Sequence, residues 1–379
     1  MKIAILTLPL HTNYGGILQA YALQTILQDM GHEVEVINYL KETPVKIMAK
    51  NACLRLLNKM KGKHEAVAVN LRSYLKHKFM PDSRIKHFIS KYIQLSKEKY
   101  YTKKDLESLS ERGFHAFVIG SDQVWRTAYV RDISVYFLSF LKNQESKRIV
   151  YSASFGIDYN EYTSSQIEVC RQYFALFDTV SVRENSGLDL IKAYRWKCKT
   201  DCIHTLDPTM LLDGNDYITS LHLNVRTNRP VLFAYVLDVC EDTNNIRRQT
   251  ALMKELDIVK IESIDTFKIG RKQTMISPVQ WLEHIASSRF VVTDSFHGCV
   301  FAILFHKPFI IVGNAVRGNA RISSLLRLFR LEERFVTSYD DFEKRKMSLL
   351  SDIDYQRVDS ILERMRKSSL GFLSDSLHS

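Results

Sequence analysis

Short apolar runs alternate with amphipathic segments from the start of the chain. Residues 2–8 (KIAILTL) form an apolar run of strand length, and residues 17–30 (ILQAYALQTILQDM) are rich in helix formers with one apolar side. Gly31 ends this helix, and residues 32–40 (HEVEVINYL) indicate a second strand. A strand, a glycine-bearing loop, a helix and a strand within 40 residues predict a βαβ unit and a parallel sheet.

The same alternation continues in two further series. The first has predicted strands at 114–120, 148–154 and 178–184 and helices at 166–177 and 185–194. The second has strands at 229–238, 257–263, 289–294 and 308–314 and helices at 247–256, 277–288 and 298–307. Residues 204–217 interrupt the pattern with turn residues, so we place a domain junction near them. We therefore expect an α/β protein with two Rossmann-type domains, residues 1–210 and 211–379, facing a cleft.

Polar or glycine-bearing segments follow the predicted strands. Ligands of such folds bind beyond the carboxyl ends of parallel strands, and helix N-termini placed there favour anions. The segments are HTNYGG, GSDQVW, SASFG, VRENSG, TDSFHG and GNAVRGNAR. They are the candidate binding site.

Positive charge is concentrated in one segment. Residues 41–105 contain 17 Lys or Arg and five Asp or Glu, a net charge of +12, whereas the whole chain carries +11. Lysines alternate with apolar residues there, which is typical of amphipathic helices that lie on anionic lipid. A solvated helical insertion in the first domain is the alternative. No standard nucleic-acid motif is present, so we expect no nucleic-acid partner.

The remaining composition favours a folded cytoplasmic protein. Hydrophobic residues make up 45% of the chain and charged residues 25%. The N-terminal apolar run lacks a signal-peptide cleavage site, and no uncharged run approaches the roughly 20 residues of a membrane-spanning helix. The six cysteines are scattered without zinc spacing. We expect reduced thiols and no metal.

The strand-end motifs together resemble the polysaccharide pyruvyl transferase family. The segments that carry the resemblance are NYGGILQAYALQ (13–24), VIGSDQVW (118–125), YSASFG (151–156), SVRENSG (181–187), LDPTMLL (206–212), TDSFHGCVFAILFHKPFI (293–310) and RISSLL (321–326). The resemblance implies a GT-B-like pair of domains. It also implies pyruvyl transfer from phosphoenolpyruvate to a sugar as a cyclic ketal, without a further cofactor.

The resemblance places donor binding and catalysis in the second domain, with help from the first. His297 is the expected acid/base residue, because ketal formation needs a proton at the donor's methylene carbon. A structural histidine bonded to backbone is the alternative. Asp294 would orient the imidazole or cap the following helix. Gly298 follows in the same motif and lets ligand or backbone approach closely.

Arginines are expected to bind the donor's carboxylate and phosphate. Family members carry an S-R-L-H motif that aligns with Asp294–His297, so Ser295 stands at the arginine position. Arg183 matches another family arginine, with an ion pair to Glu184 as the alternative. Arg317 and Arg321 are candidates to supply the missing charge, although Arg321 also fits the solvated face of an amphipathic helix.

The first domain is expected to bind the acceptor. The predicted acceptor residues are Asn13, Tyr14, Gly15, Gly16, Ser121, Asp122 and Trp125. Trp125 would stack on a sugar ring, with a core position as the alternative, and helix capping would equally explain Ser121 and Asp122. Asp207, before Pro208, is interpreted as a turn residue.

Three functions remain open at this point. The leading one is pyruvyl transfer to a hexose of a surface polysaccharide, with a lipid-linked acceptor at the inner membrane face, where the basic segment would bind. The same architecture also carries nucleotide-sugar glycosyltransferases. The third is a non-catalytic glycan-binding or assembly protein, which the substitution at Ser295 keeps open.

Overall fold

A computed structural model describes residues 1–40, 83–142, 145–227, 229–262, 276–314 and 318–378. Of the predicted basic insertion, residues 41–82 lie outside the described residues. Among the described helices, none is long and apolar enough to cross a membrane.

A fully parallel sheet forms the first half of the protein. Its described strands are β1 (Lys2–Leu6), β2 (Glu33–Val36), β3 (Ala116–Ile119), β4 (Lys147–Ala153), β5 (Thr179–Val182) and β6 (Ile203–His204). They lie in the order β2-β1-β3-β4-β5-β6. The helices of this half are α1 (Tyr14–Asp29), α2 (Ser83–Tyr92), α3 (Lys103–Leu106), α4 (Ser164–Phe174), α5 (Asn185–Ala193) and α6 (Gly214–Ser220).

A second parallel sheet follows. Its described strands are β7 (Val231–Val236), β8 (Asp257–Glu262), β9 (Phe290–Thr293), β10 (Phe309–Val312) and β11 (Phe335–Val336), in the order β11-β10-β9-β7-β8. The accompanying helices are α7 (Glu241–Lys254), α8 (Pro278–Ser287), α9 (Phe296–Leu304), α10 (Ala320–Phe329), α11 (Tyr339–Leu349) and α12 (Tyr355–His378). Short 3₁₀ turns occupy Glu107–Glu111, Thr127–Tyr129, Ile133–Phe137, Pro208–Met210 and Glu332–Arg334.

The two sheets share one winding order. In each, the first strand lies between the second and the third, so the chain crosses to one side and then to the other. This doubly wound order leaves a crevice at the carboxyl ends of the first and third strands, where ligands of such folds bind. The crevices open between β1 and β3 and between β7 and β9. The predicted α/β class with two Rossmann-type, GT-B-like halves is confirmed.

Helix α1 joins the two halves. It is buried along most of its length and shares one apolar cluster with both sheets. At its start, the Tyr14 ring stacks on Trp281 of α8, with 5.5 Å between centroids, and its hydroxyl donates to the Ile276 carbonyl at 3.0 Å. Because α1 contacts the second half so closely, its first turn holds a fixed position relative to β9 and α9.

The last helix returns to the first sheet. Ser369 Oγ of α12 accepts from the Leu206 backbone at 3.0 Å, and Thr179 Oγ1 donates to Ser376 Oγ at 2.8 Å. Arg366 Nε donates to the Met210 carbonyl at 3.0 Å. The boundary near residue 210 remains a prediction, and α12 packs on the half that precedes that boundary.

Trp125 belongs to the core of the first half. It has no exposed surface, stacks on Phe137 with 5.2 Å between centroids, and donates from Nε1 to the Tyr136 carbonyl at 3.1 Å. The expectation that Trp125 stacks on a sugar ring is therefore wrong. An indole with all of its surface buried and its N–H bonded to backbone has no face left for a ligand.

Candidate functional site

The candidate site lies at the start of α9, where the second half meets the first. Strand β9 ends at Thr293, and Ser295 occupies the N-cap of α9, accepting from the Gly298 backbone at 3.3 Å. Phe296 and His297 form the first turn of α9, and both are buried. A short capped turn between a buried strand and an apolar helix thus fixes these two side chains in the interior.

His297 packs directly on the first turn of α1. A Cβ atom at Gly15 would overlap the His297 imidazole, so the absence of a side chain at Gly15 allows the contact. The sequence placed Gly15 and Gly16 in a loop before the helix, whereas they lie inside α1. Among the described residues, His297 Nε2 has no hydrogen-bond partner. The contact with α1 therefore fixes the position of the imidazole, while Nε2 remains available for a hydrogen bond.

Arg183 reaches the same place from the end of β5. Its guanidinium is buried, donates to Asp207 Oδ2 at 2.8 Å, and lies 4.4 Å from the centre of the Phe296 ring. Burial alone lowers the pKa of Arg183, but the carboxylates of Asp207, Asp122 and Glu184 together raise it above its ordinary value. Arg183 is therefore an interior cation rather than a surface ion pair.

Arg321 supplies a second cation to this site from α10. It is buried, and its guanidinium lies 5.9 Å from the centre of the Phe296 ring that Arg183 also contacts. Burial, followed by repulsion from Arg183, lowers the pKa of Arg321 to about 10, so it stays charged near neutral pH. The alternative of a solvated arginine on an amphipathic helix is excluded. Arg317 lies outside the described residues.

Asp207 is the carboxylate that contacts both Arg183 and His297. Its Oδ2 accepts from Ser121 Oγ at 2.9 Å and from Arg183 at 2.8 Å, and it lies 3.6 Å from His297 Nε2. Burial alone would raise the pKa of Asp207, but His297, Arg183 and Thr209 hold it well below its ordinary value. Removing one partner of such a buried ion pair typically costs about 3–5 kcal/mol.

Asp122 lies across the crevice between β1 and β3. Its backbone has φ 73°, a left-handed conformation that a non-glycine residue adopts at a cost of about 1–3 kcal/mol. Its side chain accepts from Asn13 Nδ2 at 3.1 Å and lies 3.8 Å from Arg183 Nη2. Ser121 points to Asp207, so neither residue caps a following helix. The structure thus brings Asn13, Ser121 and Asp122 close together, and their role in acceptor binding stays a prediction.

Asp294 does not orient His297. Its carboxylate accepts from the backbones of Leu237 and Asp238, at 2.6 and 3.0 Å, and from Asn314 Nδ2 at 3.0 Å. Burial raises the pKa of Asp294 despite these hydrogen bonds. The N-cap of α9 is Ser295, so both roles expected for Asp294 are wrong. Asp294 instead ties the end of β9 to the ends of β7 and β10.

The sequence did not identify Asp207 and Glu184 as residues of the candidate site. Asp207 follows β6, a strand of two residues that is too short to produce an alternating pattern. Glu184 Oε1 accepts from Ser154 Oγ and from the Phe155 and Gly156 backbones, which fixes the turn after β4. Its Oε2 lies 3.9 Å from Arg183 Nε. In the sequence, only the position of Glu184 directly after Arg183 in SVRE indicated that it belongs to the site.

The described residues contain no group of three or more His, Cys, Asp or Glu side chains placed to hold a metal ion. The candidate site itself combines several charged or ionisable groups. It consists of two buried guanidiniums, one imidazole and three carboxylates, with the backbone N–H groups of α9 beginning beside them.

The contact between Gly15 and His297 can be tested by Gly15→Ala. The added methyl group would force the imidazole out of its place, and overpacking of this kind costs about 1–3 kcal/mol. We expect a lower urea midpoint and displaced His297 NMR signals. Gly371→Ala in α12 is the matched control, since a Cβ there meets nothing within 4 Å. Equal behaviour of the two variants would contradict the contact.

The chain has the fold of solved UDP-N-acetylglucosamine 2-epimerases. The Neisseria meningitidis enzyme bound to UDP-GlcNAc is similar with a TM-score of 0.52 and 9% identity, covering 100% of this chain and 99% of that one. A putative enzyme from Listeria monocytogenes gives a TM-score of 0.51 and 10% identity, covering 96% and 90%. At this identity the likeness shows the fold alone. None of the curated protein sequences compared with the chain matches it.

The sequence profile of one family, described as "Polysaccharide pyruvyl transferase", matches residues 13–315. The matched range begins at Asn13, beside the first crevice, and includes Arg183, Asp207 and His297. It covers most of the chain and all described strands except β1 and β11. The chain belongs to the polysaccharide pyruvyl transferase family.

Proposed function

We propose that this protein transfers a pyruvyl group from phosphoenolpyruvate to a hexose of a surface-polysaccharide intermediate, forming a ketal and releasing phosphate. Family membership supports a transferase acting on polysaccharide. The single observation that carries the finer proposal is that Arg183 and Arg321, from opposite halves, flank Phe296 beside His297. Two buried cations next to an acid/base residue suit a small, multiply charged donor.

The two arginines are proposed to bind the donor. Phosphoenolpyruvate carries a carboxylate and a phosphate, and guanidinium groups bind both through paired, charge-assisted hydrogen bonds. Arg183 Nη2 and Nε make no hydrogen bond to the described residues, so these donors remain for a ligand. Arg321 would supply the positive charge that other family members carry on an arginine at the position of Ser295. The N–H groups at the start of α9 would add favourable positive potential.

His297 is proposed to supply the proton that starts the reaction. Protonation of the donor's methylene carbon makes the adjacent carbon oxocarbenium-like, and one acceptor hydroxyl adds there. The second hydroxyl then displaces phosphate by cleavage of the carbon–oxygen bond. Of the two hydroxyl protons, one replaces the proton given to the methyl group and the other leaves on phosphate. His297 would return to its starting state by taking up the first.

The first half is proposed to hold the acceptor. Asn13 and Asp122 face one another across the crevice between β1 and β3 and are positioned to bond sugar hydroxyls. The strained backbone of Asp122 supports a functional role, because such strain clusters at active sites. Tyr14 and Gly16 would act indirectly, since Tyr14 packs on Trp281 and Gly16 abuts Asn13 and Asp122.

A nucleotide-sugar glycosyltransferase is the second candidate. It rests on the fold shared with enzymes that bind UDP-GlcNAc, and a shared fold alone does not select a substrate. The paired cations around Phe296 favour the smaller donor, phosphoenolpyruvate. A non-catalytic glycan-binding protein fits less well, because a buried cluster of charged groups is costly to retain without a function.

A basic groove is proposed to place the enzyme at an anionic membrane surface. The groove has a volume of about 230 Å³ and is lined by Arg84, His87 and Lys91 of α2 and by His222. The apolar rings beneath include Phe88. None of the described lining residues is acidic. A lipid-linked acceptor would then be met at the inner membrane face, with the enzyme bound peripherally.

Turnover is the direct test of the proposed function. With phosphoenolpyruvate and a panel of galactose- and mannose-type acceptors, we expect phosphate release and a ketal product detected by mass spectrometry. His297→Ala should lower kcat by about 10²–10⁴-fold, the usual contribution of a general acid. His306→Asn is the control, because His306 is exposed and pairs with Asp359. Absence of transfer across the panel by the unmodified protein would refute the proposal.

Membrane binding is tested by sedimentation with vesicles containing about one third phosphatidylserine. Arg84→Glu with Lys91→Glu should weaken binding by at least about tenfold, since each basic residue near an anionic surface contributes about 1 kcal/mol. Lys192→Glu with Lys197→Glu is the control with the same charge change elsewhere on the surface. Equal loss in both double variants would contradict a specific groove.

A further inference from the structure

The two oxygens of Asp207 have different partners. Oδ1 accepts from the Thr209 backbone at 3.0 Å and from Thr209 Oγ1 at 2.6 Å, which closes the turn that begins at Pro208. Oδ2 instead faces Ser121 Oγ, Arg183 and His297 Nε2. The turn uses only Oδ1, and the side chain of Asn or Ser also suits such a turn. The turn therefore does not explain why this position carries a carboxylate rather than an uncharged polar side chain.

Keeping a carboxylate here is costly unless its charge has a use. Asp207 is 2% exposed, and an ionised group in the interior requires compensating partners. Arg183 provides one. The imidazole of His297, from the other half of the protein, also lies beside Asp207, because Gly15 leaves room for the ring.

The carboxylate of Asp207 lies close to the imidazole of His297 without forming an ordinary hydrogen bond. At 3.6 Å, Asp207 Oδ2 and His297 Nε2 are beyond an ordinary N–H···O hydrogen bond but close enough for strong interaction between charges. The other charged groups near this point are Arg183 and Glu184 after β5, Asp122 after β3 and Arg321 in α10. Among the described carboxylates, only Asp207 lies within 4.0 Å of a His297 nitrogen.

We propose that Asp207 is a positioning residue that stabilises the protonated imidazole of His297 and, through the same oxygen, holds Arg183 in place. The carboxylate does so without occupying the Nε2 proton in a hydrogen bond, so this proton stays available for transfer. The catalytic consequence rests on the proposed function, whereas the effect on the protonation of His297 does not.

The proposal is tested in the full-length, ligand-free protein by NMR of ¹³C-labelled histidine, with the His297 signal assigned from His297→Gln. In Asp207→Asn, we expect His297 to titrate at lower pH by about one unit or more, because an opposite charge within 4–6 Å shifts a titration by about 1–3 units. Asp294→Asn is the matched control. It also removes a buried carboxylate, but one that does not contact His297, and it should leave the titration in place.

Ser121→Ala keeps the test decisive if Asp207→Asn does not fold. This variant removes one hydrogen-bond donor from Asp207 Oδ2 and leaves the carboxylate itself intact. With less of its charge neutralised, Asp207 should favour the imidazolium more strongly, and His297 should titrate at higher pH. The two substitutions thus have opposite expected signs, which a general loosening of the structure would not produce.

Activity separates this proposal from the proposed function. If the protein turns over phosphoenolpyruvate, the alkaline limb of the kcat profile in Asp207→Asn should move to lower pH together with the NMR titration. If no turnover occurs, the proposed function fails while the NMR result still decides the role of Asp207. An unchanged His297 titration in both Asp207→Asn and Ser121→Ala would overturn the positioning role.

Discussion

The interaction on which the site depends is the buried ion pair between Arg183 and Asp207, with His297 packed against it from the other half. An interior carboxylate and guanidinium are tolerated only when each has its partner. The pair therefore requires β5 and β6 to end side by side. It also requires α9 to meet α1 closely enough for the imidazole to rest on Gly15.

This arrangement makes one site from two independently wound sheets. Each sheet has its own crevice. In the second sheet, the polar groups at the crevice, those of Asp294, Asp238 and Asn314, form hydrogen bonds with one another. The second sheet instead contributes His297 and Arg321, which lie against the first. The charged groups are thus concentrated where α9 begins, beside the crevice between β1 and β3, rather than being divided between two separate pockets.

The sequence was sufficient for the fold because the strands are buried runs and the helices carry clear apolar faces. The rule that ligands bind at strand ends, together with the family resemblance, also named Arg183, His297 and Arg321, and the structure places these three side chains around Phe296. The sequence analysis failed for residues whose role depends on which side chains become their neighbours in the tertiary structure. The choice between Asp294 and Asp207 as the partner of His297 is set by which carboxylate the packing of the two halves brings near, and a two-residue strand leaves no pattern before Asp207.

The proposed function requires the two guanidiniums around Phe296 to bind a small donor with a carboxylate and a phosphate. Calorimetric titration with phosphoenolpyruvate and, separately, with UDP tests it most directly. We expect the unmodified protein to bind phosphoenolpyruvate and Arg321→Gln to bind it at least about tenfold more weakly, since a hydrogen bond to a charged group contributes about 1.5–3 kcal/mol. Binding of UDP without binding of phosphoenolpyruvate would contradict it.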